Sequence, residues 1–129
     1  MPKPKHIKQQ EANQRKRESL AYLEEEIKTA AKKIKETTSK VIALDWLRIL
    51  MHDVRNHHKL GKELGIDEGE LFATESACIR GVDAAYYFGR GLEWLREVVK
   101  NDGCYLAYSP SKEQFEQDVE LFLNLFART

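Results

Sequence analysis

The chain has 129 residues, of which 33% are charged and 42% hydrophobic, and its formal net charge is zero. This length and composition predict one water-soluble helical domain, and the sequence contains neither a secretory signal nor the roughly 18 consecutive apolar residues of a membrane span. Two cysteines, Cys78 and Cys104, are too few for a disulfide framework or a zinc motif, so we expect a reducing, cytoplasmic environment. Because no apolar span is found, we also expect no membrane partner.

Residues 1–19 are polar and basic and precede the apolar part of the chain. Prolines at positions 2 and 4 favour an extended start. We predict that this segment is a basic arm, or an extension of the first helix, attached to a single bundle domain at 20–129. Because no aromatic residue lies among its cations, it would bind nucleic acid only nonspecifically, through phosphates. The candidate contacts are Lys3, Lys5, Lys8, Arg15, Lys16 and Arg17.

The region from residue 6 to residue 60 contains neither glycine nor proline, and from Leu20 its apolar residues follow helical spacing. Two β-branched threonines followed by Ser39, a good N-cap, favour a break at this point. We therefore predict two helices, at 8–36 and 39–59, with one long bent helix as the alternative. The second helix is predicted to end at His57 and His58, where the helix dipole favours positive charge, and Gly61 and Gly65 then form a turn.

Residues 67–101 are predicted to form a long central helix with Asp67 as its N-cap. Apolar or small residues recur along it every seven positions and form a seam that includes Cys78, which predicts a buried thiol. Gly81 and Ala85 share one face of this helix. Because a glycine inside a helix costs about 1 kcal/mol relative to alanine, these small residues predict the close approach of another helix.

The C-terminal part is predicted to contain a short extended segment at 104–108 and then a last helix. Pro110 suits an early position in that helix, with Ser109 or Ser111 as its cap. The apolar face of the helix includes Phe115 and Phe122. The whole pattern predicts an all-α fold, a bundle of three to four helices around the long central helix.

Three kinds of motif would indicate a chemical function: a DNA-binding motif, a metal site and a catalytic or phosphate-binding motif. Residues 60–71 have the glycine and leucine spacing of a DNA-binding helix-turn-helix, but Asp67, Glu68, Glu70 and Glu75 would repel the phosphates, so we interpret the segment as an ordinary corner. A second group, His52, Asp53, His57 and His58, has some spacing suited to a metal, yet polar histidines at a helix end need no ion. Phosphate-binding loops and nucleophile motifs are missing from the sequence. We expect no catalytic residue, metal, cofactor or small-molecule substrate.

One resemblance is carried by residues 75–99, where Ile79-Arg80-Gly81 leads into Ala84-Ala85 and then into Leu92-Glu93-Trp94-Leu95. This pattern resembles that of short helical proteins encoded by tailed phages. The resemblance implies a viral assembly or host-interaction role, inside a virus particle or the host cytoplasm. It implies no site residues.

The charge distribution and the central helix together predict association. Residues 1–66 carry 15 Lys and Arg against 9 Asp and Glu, a net charge of +6, and residues 67–129 carry 6 against 12, a net charge of −6. We therefore predict a non-enzymatic interaction or assembly protein that acts as a homo-oligomer or with a protein partner. Its contact centre is predicted at Tyr87 and Trp94 beside Arg90, the aromatic and arginine composition of binding hot spots. The alternative is an accessory protein that binds nucleic acid through the basic arm.

Overall fold

The computed structural model describes residues 5–79 and 104–127. Helix α1 spans Lys5–Glu36, α2 spans Lys40–Glu63, α3 begins at residue 68 and is described to residue 79, a 3-10 turn spans Cys104–Ala107, and α4 spans Lys112–Ala127. The all-α prediction is confirmed. Residues 5–19 belong to α1 rather than to an extended arm, so this part of the basic segment is an extension of the first helix.

The break between α1 and α2 lies at 37–39, which confirms two helices rather than one bent helix. Ser39 is the N-cap of α2: its backbone is extended and its side chain accepts a hydrogen bond from the Ile42 amide at 3.4 Å. At the opposite end of the pair, Lys16 lies 3.7 Å from Glu63 in an ion pair. The two helices therefore form an antiparallel hairpin.

One apolar core joins all four helices. Small residues Ala30 and Ala31 on α1 and Ala43 on α2 are fully buried, so they allow these helices to approach closely. The larger core side chains are Ile27, Ile34, Leu47, Leu50, Met51, Val54, Phe72, Ile79, Phe115, Phe122 and Leu125. Cys78 belongs to the same cluster, and the prediction of a buried thiol is confirmed.

The corner between α2 and α3 differs from its predicted form. Helix α2 continues to Glu63, four residues past the predicted end, so Gly61 lies in its last turn and is buried. Only Gly65, with φ of 78°, takes the left-handed conformation that a turn requires. Gly61 instead makes room for Leu71: a Cβ atom at position 61 would overlap the Leu71 side chain. Asp67 caps α3 as predicted, because its Oδ2 accepts the Gly69 amide at 3.0 Å.

The structure of residues 104–111, before α4, corrects two predictions. Residues Cys104–Ala107 form a 3-10 turn, not an extended segment. Pro110 precedes the helix, because Ser111 is the cap and accepts the Gln114 amide at 3.1 Å. Tyr105 and Tyr108 pack their rings against Phe115, 6.3 and 6.2 Å between centroids, which gives the turn its own apolar anchor.

Candidate functional site

A cleft of about 790 Å³ lies between the C-terminal half of α2, the first turns of α3, and α4. Most of its lining side chains are charged or carry an amide. They are Arg55, Asn56, His58, Lys59, Lys62, Glu68, Phe72, Pro110, Gln114, Gln117, Asp118, Glu120, Leu121 and Asn124. Two buried polar networks reach this cleft, one through His58 and the other through Arg55 and Asp118.

The first network joins two neighbouring histidines of α2 to one carboxylate of α3. His57 Nδ1 lies 2.6 Å from Glu75 Oε2, and His58 Nδ1 lies 3.1 Å from Glu75 Oε1. Glu75 is fully buried, and the histidines are 2% and 6% exposed. Because a buried carboxylate needs hydrogen-bond donors, each imidazole presents its Nδ1–H to Glu75.

The outer nitrogens of these two rings face other carboxylates. His57 Nε2 lies 3.8 Å from Glu24 Oε1 on α1. His58 Nε2 lies 3.6 Å from Glu68 Oε1, and Lys62 Nζ lies 3.4 Å from the other Glu68 oxygen. His58 Nε2 is buried and has no hydrogen-bond partner in the part of the chain that the structure describes. The network thus leaves one polar atom unsatisfied beside the cleft.

The second network is centred on Asp118 of α4, which is 3% exposed. Arg55 Nη1 donates to Asp118 Oδ2 at 2.7 Å, and the Ser109 hydroxyl donates to the same oxygen at 2.6 Å. The Gln114 amide donates to Asp118 Oδ1 at 2.8 Å. These three donors engage both carboxylate oxygens, so Asp118 ties α2, α4 and the preceding turn together.

The histidines and aspartate of the predicted metal-like group have separate partners. His57 and His58 turn to Glu75, so they are buried core groups and not polar residues at a helix end. His52 Nδ1 instead contacts Asp53 Oδ1 at 3.4 Å. Within residues 5–79 and 104–127, no three metal-binding side chains are placed to share one ion.

Two further buried groups have raised pKa values. Burial raises the pKa of Asp53, and the Glu26 carboxylate on α1 raises it further, against the lowering effect of His52. Asp53 Oδ2 has no hydrogen-bond donor among the described residues. Burial, with Glu24 nearby, raises the pKa of the Cys78 thiol to about 11. A thiol with this pKa is a core group and a poor nucleophile at neutral pH.

The predicted contact residues have different positions. Gly81, Ala85, Tyr87, Arg90 and Trp94 lie outside the described residues, so the proposed hot spot stays a prediction. Of the basic candidates, Lys3 also lies outside, Lys5 and Lys8 belong to α1, and Arg15 and Arg17 are exposed on it. Lys16 is the exception, because it pairs with Glu63 of α2.

Sequence reasoning missed both buried carboxylates. Glu75 lies between Leu71 and Cys78 on the apolar seam, and Asp118 lies between Phe115 and Phe122 at the same helical spacing. A charged residue at a position where the pattern requires an apolar one predicts a buried partner on a neighbouring helix. Glu75, one of the four carboxylates expected to repel phosphates, is not a surface charge, since its exposure is 0%.

Comparison with protein-family models, with curated proteins and with solved structures finds no match to this chain. None of the helices in the described ranges combines the length and the apolar character needed to cross a membrane.

Proposed function

We propose that this chain is a non-enzymatic interaction protein that assembles as a homo-oligomer, and that its cleft between α2, α3 and α4 receives a segment of a second copy. The observation that carries the proposal is the hydrogen bonding of both Asp118 oxygens. Its three donors are all side chains of this protein, so the carboxylate stiffens the wall of the cleft. A buried carboxylate whose two oxygens both accept side-chain hydrogen bonds supports a rigid recognition surface better than acid–base catalysis.

The accessible side chains of the cleft support the same interpretation. Lys59, Gln117, Glu120 and Asn124 are exposed and line it. Amide and charged groups of this kind pair with the backbone and polar side chains of another polypeptide. The resemblance of residues 75–99 to tailed-phage helical proteins also favours an assembly role.

A second copy is the partner that the charges favour. The N-terminal half of the chain has a net charge of +6 and the C-terminal half −6. Arg15 and Arg17 are exposed on α1, and the exposed charges of the cleft are of both signs, Lys59 and Lys62 beside Glu68 and Glu120. Lys16 pairs with Glu63, so the basic segment of α1 lies at the end of α2 that borders the cleft, and opposite charges on one surface favour a contact between two copies through the same face.

Sedimentation velocity of the full chain at several concentrations tests this proposal. We expect a mass above that of the monomer that falls on dilution. Glu120→Lys should weaken association about tenfold, because it reverses a charge in the cleft. Glu116→Lys is the matched control, since Glu116 is exposed on the same helix, one turn away, and does not line the cleft.

A nucleic-acid titration at two salt concentrations tests the alternative, an accessory protein that binds nucleic acid through the basic segment. Binding through Arg15 and Arg17 would weaken steeply as salt rises and would be unaffected by Glu120→Lys. A chain that stays monomeric at every concentration would contradict the proposal. Salt-sensitive binding to both DNA and RNA in that monomer would favour the accessory role.

A further inference from the structure

Asp53 of α2 has a buried carboxylate oxygen without a donor. The residue is 5% exposed, and its Oδ2 has no hydrogen-bond partner in the part of the chain that the structure describes. Its other oxygen, Oδ1, lies 3.4 Å from Nδ1 of His52, whose side chain is 56% exposed. A buried carboxylate with one long contact is costly to keep ionised, so Oδ2 needs a further group that satisfies it.

The register of the α1–α2 hairpin places a second carboxyl group opposite Asp53. Lys16 of α1 pairs with Glu63 of α2. Ten residues further along α1 is Glu26, and ten residues back along α2 is Asp53, so the antiparallel helices bring these two residues to the same level. Glu26 acts on Asp53 through its charge and through a side-chain hydrogen bond. Because two ionised carboxylates have acceptors only, that hydrogen bond needs one proton.

The surroundings of the two carboxyl groups decide which of them holds the proton. Glu26 is half-buried and hydrogen-bonds the Tyr22 hydroxyl one turn earlier on α1, a bond that raises the pKa of Tyr22. A negative charge on Glu26 is therefore both hydrogen-bonded and partly solvated. Burial raises the pKa of Asp53, His52 lowers it, and Glu26 raises it again. These environments favour an acid at Asp53, whose Oδ2–H donates to a carboxylate at Glu26.

We propose that Asp53 and Glu26 hold one proton between them and form a pH-sensitive latch between α1 and α2. While the proton is present, the hydrogen bond joins the two helices. When it leaves, two carboxylates face each other across the hairpin and repel. In the described ranges, the titratable groups that face Asp53 are Tyr22 and Glu26 from α1 and His52 from α2 itself, and His52 alone among them can carry a positive charge. The latch lies within the hairpin and does not depend on what enters the cleft.

Carbon-13 NMR titration of the Asp53 and Glu26 carboxyl groups in the full chain tests the shared proton. We expect both signals to shift at one common midpoint above 3.8, the ordinary pKa of aspartate, because groups that share a proton titrate as a pair. Glu26→Gln keeps the shape and removes the charge, so Asp53 should then titrate at a lower pH. Glu18→Gln is the matched control, because Glu18 is exposed on α1 two turns before Glu26 and should leave the Asp53 titration unchanged.

Amide hydrogen exchange measures whether loss of the proton loosens the hairpin. Ile27 and Val54 are buried core residues that follow Glu26 and Asp53 in the sequence. We expect the protection factors of their amides to fall about tenfold as the pH passes the common midpoint. In Asp53→Asn the side-chain amide donates to Glu26 at every pH, so this fall should disappear.

Separate midpoints for the two carboxyl groups would overturn the shared proton, and so would an unchanged Asp53 titration in Glu26→Gln. Constant protection across a common midpoint would overturn the latch. His52→Gln should retain the common midpoint in both carboxyl signals. Its loss in that variant would assign the titration to the imidazole and would also overturn the proposal. The midpoint and the exchange step are both measured in the wild-type chain, so they decide the proposal even where a variant does not fold.

Discussion

The burial of Glu75 between two histidines makes a quantitative prediction. In Glu75→Ala, the Nδ1–H groups of His57 and His58 lose their acceptor in an interior site. Each unsatisfied buried donor costs about 1–3 kcal/mol, so the two together cost about 2–6 kcal/mol, and removal of a buried charge offsets part of that loss. We therefore expect the free energy of unfolding to fall by about 3–4 kcal/mol. Glu75→Gln keeps one acceptor oxygen and should lose about half as much.

Urea denaturation followed by far-ultraviolet circular dichroism measures these differences. Glu70→Ala is the control, because Glu70 is an exposed glutamate of the same helix and should change the free energy of unfolding by no more than about 0.5 kcal/mol. The urea dependence, or m-value, should stay constant across the variants, so that each change reports stability and not a less compact native state.

Double-mutant cycles then divide the effect between the histidines. The His57–Glu75 contact is the shorter one, 2.6 Å against 3.1 Å, so its coupling energy should be larger, about 2 kcal/mol compared with about 1 kcal/mol for His58. A loss below about 1 kcal/mol in Glu75→Ala, equal to that of Glu70→Ala, would refute the argument. It would mean that Glu75 is solvated and that the histidines have other partners.

Three further predictions follow from the buried positions. Gly61→Ala should lower the free energy of unfolding in urea denaturation by up to about 2 kcal/mol, because overpacking against the buried Leu71 costs about 1–3 kcal/mol and the better helix propensity of alanine returns about 1 kcal/mol. Full stability would show that Leu71 can move aside. Asp53 has a pKa raised by burial, so between the unfolded value near 3.8 and its folded value the native state holds more protons, and stability falls as pH rises. Asp53→Asn should remove this loss of stability with rising pH. An unchanged dependence of the free energy of unfolding on pH would show that Asp53 is not its cause. Cys78, in a Cys104→Ser background, should react with a thiol reagent slowly in the native chain and rapidly in urea, since its pKa is about 11; equal rates would contradict its burial.

The helices were predictable because their signals are local. Ser39, Asp67 and Ser111 are capping residues whose side chains bond to amides two or three positions away, so the sequence alone contains both partners. The break at 37–39 also changes which residues are buried, and the helical spacing of apolar residues does not predict this change. Val41 continues the apolar spacing of α1 in the sequence, but α2 begins in a new orientation, and Val41 is 71% exposed.

The candidate site was not predictable in the same way, because its contacts join distant parts of the chain. Glu75 is 18 residues from His57, and Asp118 is 63 residues from Arg55. Periodicity places each carboxylate on an apolar face but does not identify the group opposite. The adjacent histidines were visible in the sequence, and the assumption that α2 ends near them assigned them to solvent. Because α2 extends to Glu63, His57 and His58 lie before its last turn and are buried, so their ring nitrogens need hydrogen-bond partners.

Residues 55–58 of α2 make polar contacts to each of the other described helices. Arg55 bonds to Asp118 of α4, His57 lies between Glu24 of α1 and Glu75 of α3, and His58 shares Glu75. If a neighbouring helix slipped by one turn, these buried groups would lose their partners, whereas an apolar core alone would tolerate the slip at a smaller loss of stability. The polar contacts thus select one arrangement among several that the apolar pattern allows. Arg55, His58 and Asp118 also line the cleft, so their contacts fix the shape of its wall, and under the proposed function a preformed surface would lose less conformational entropy on binding.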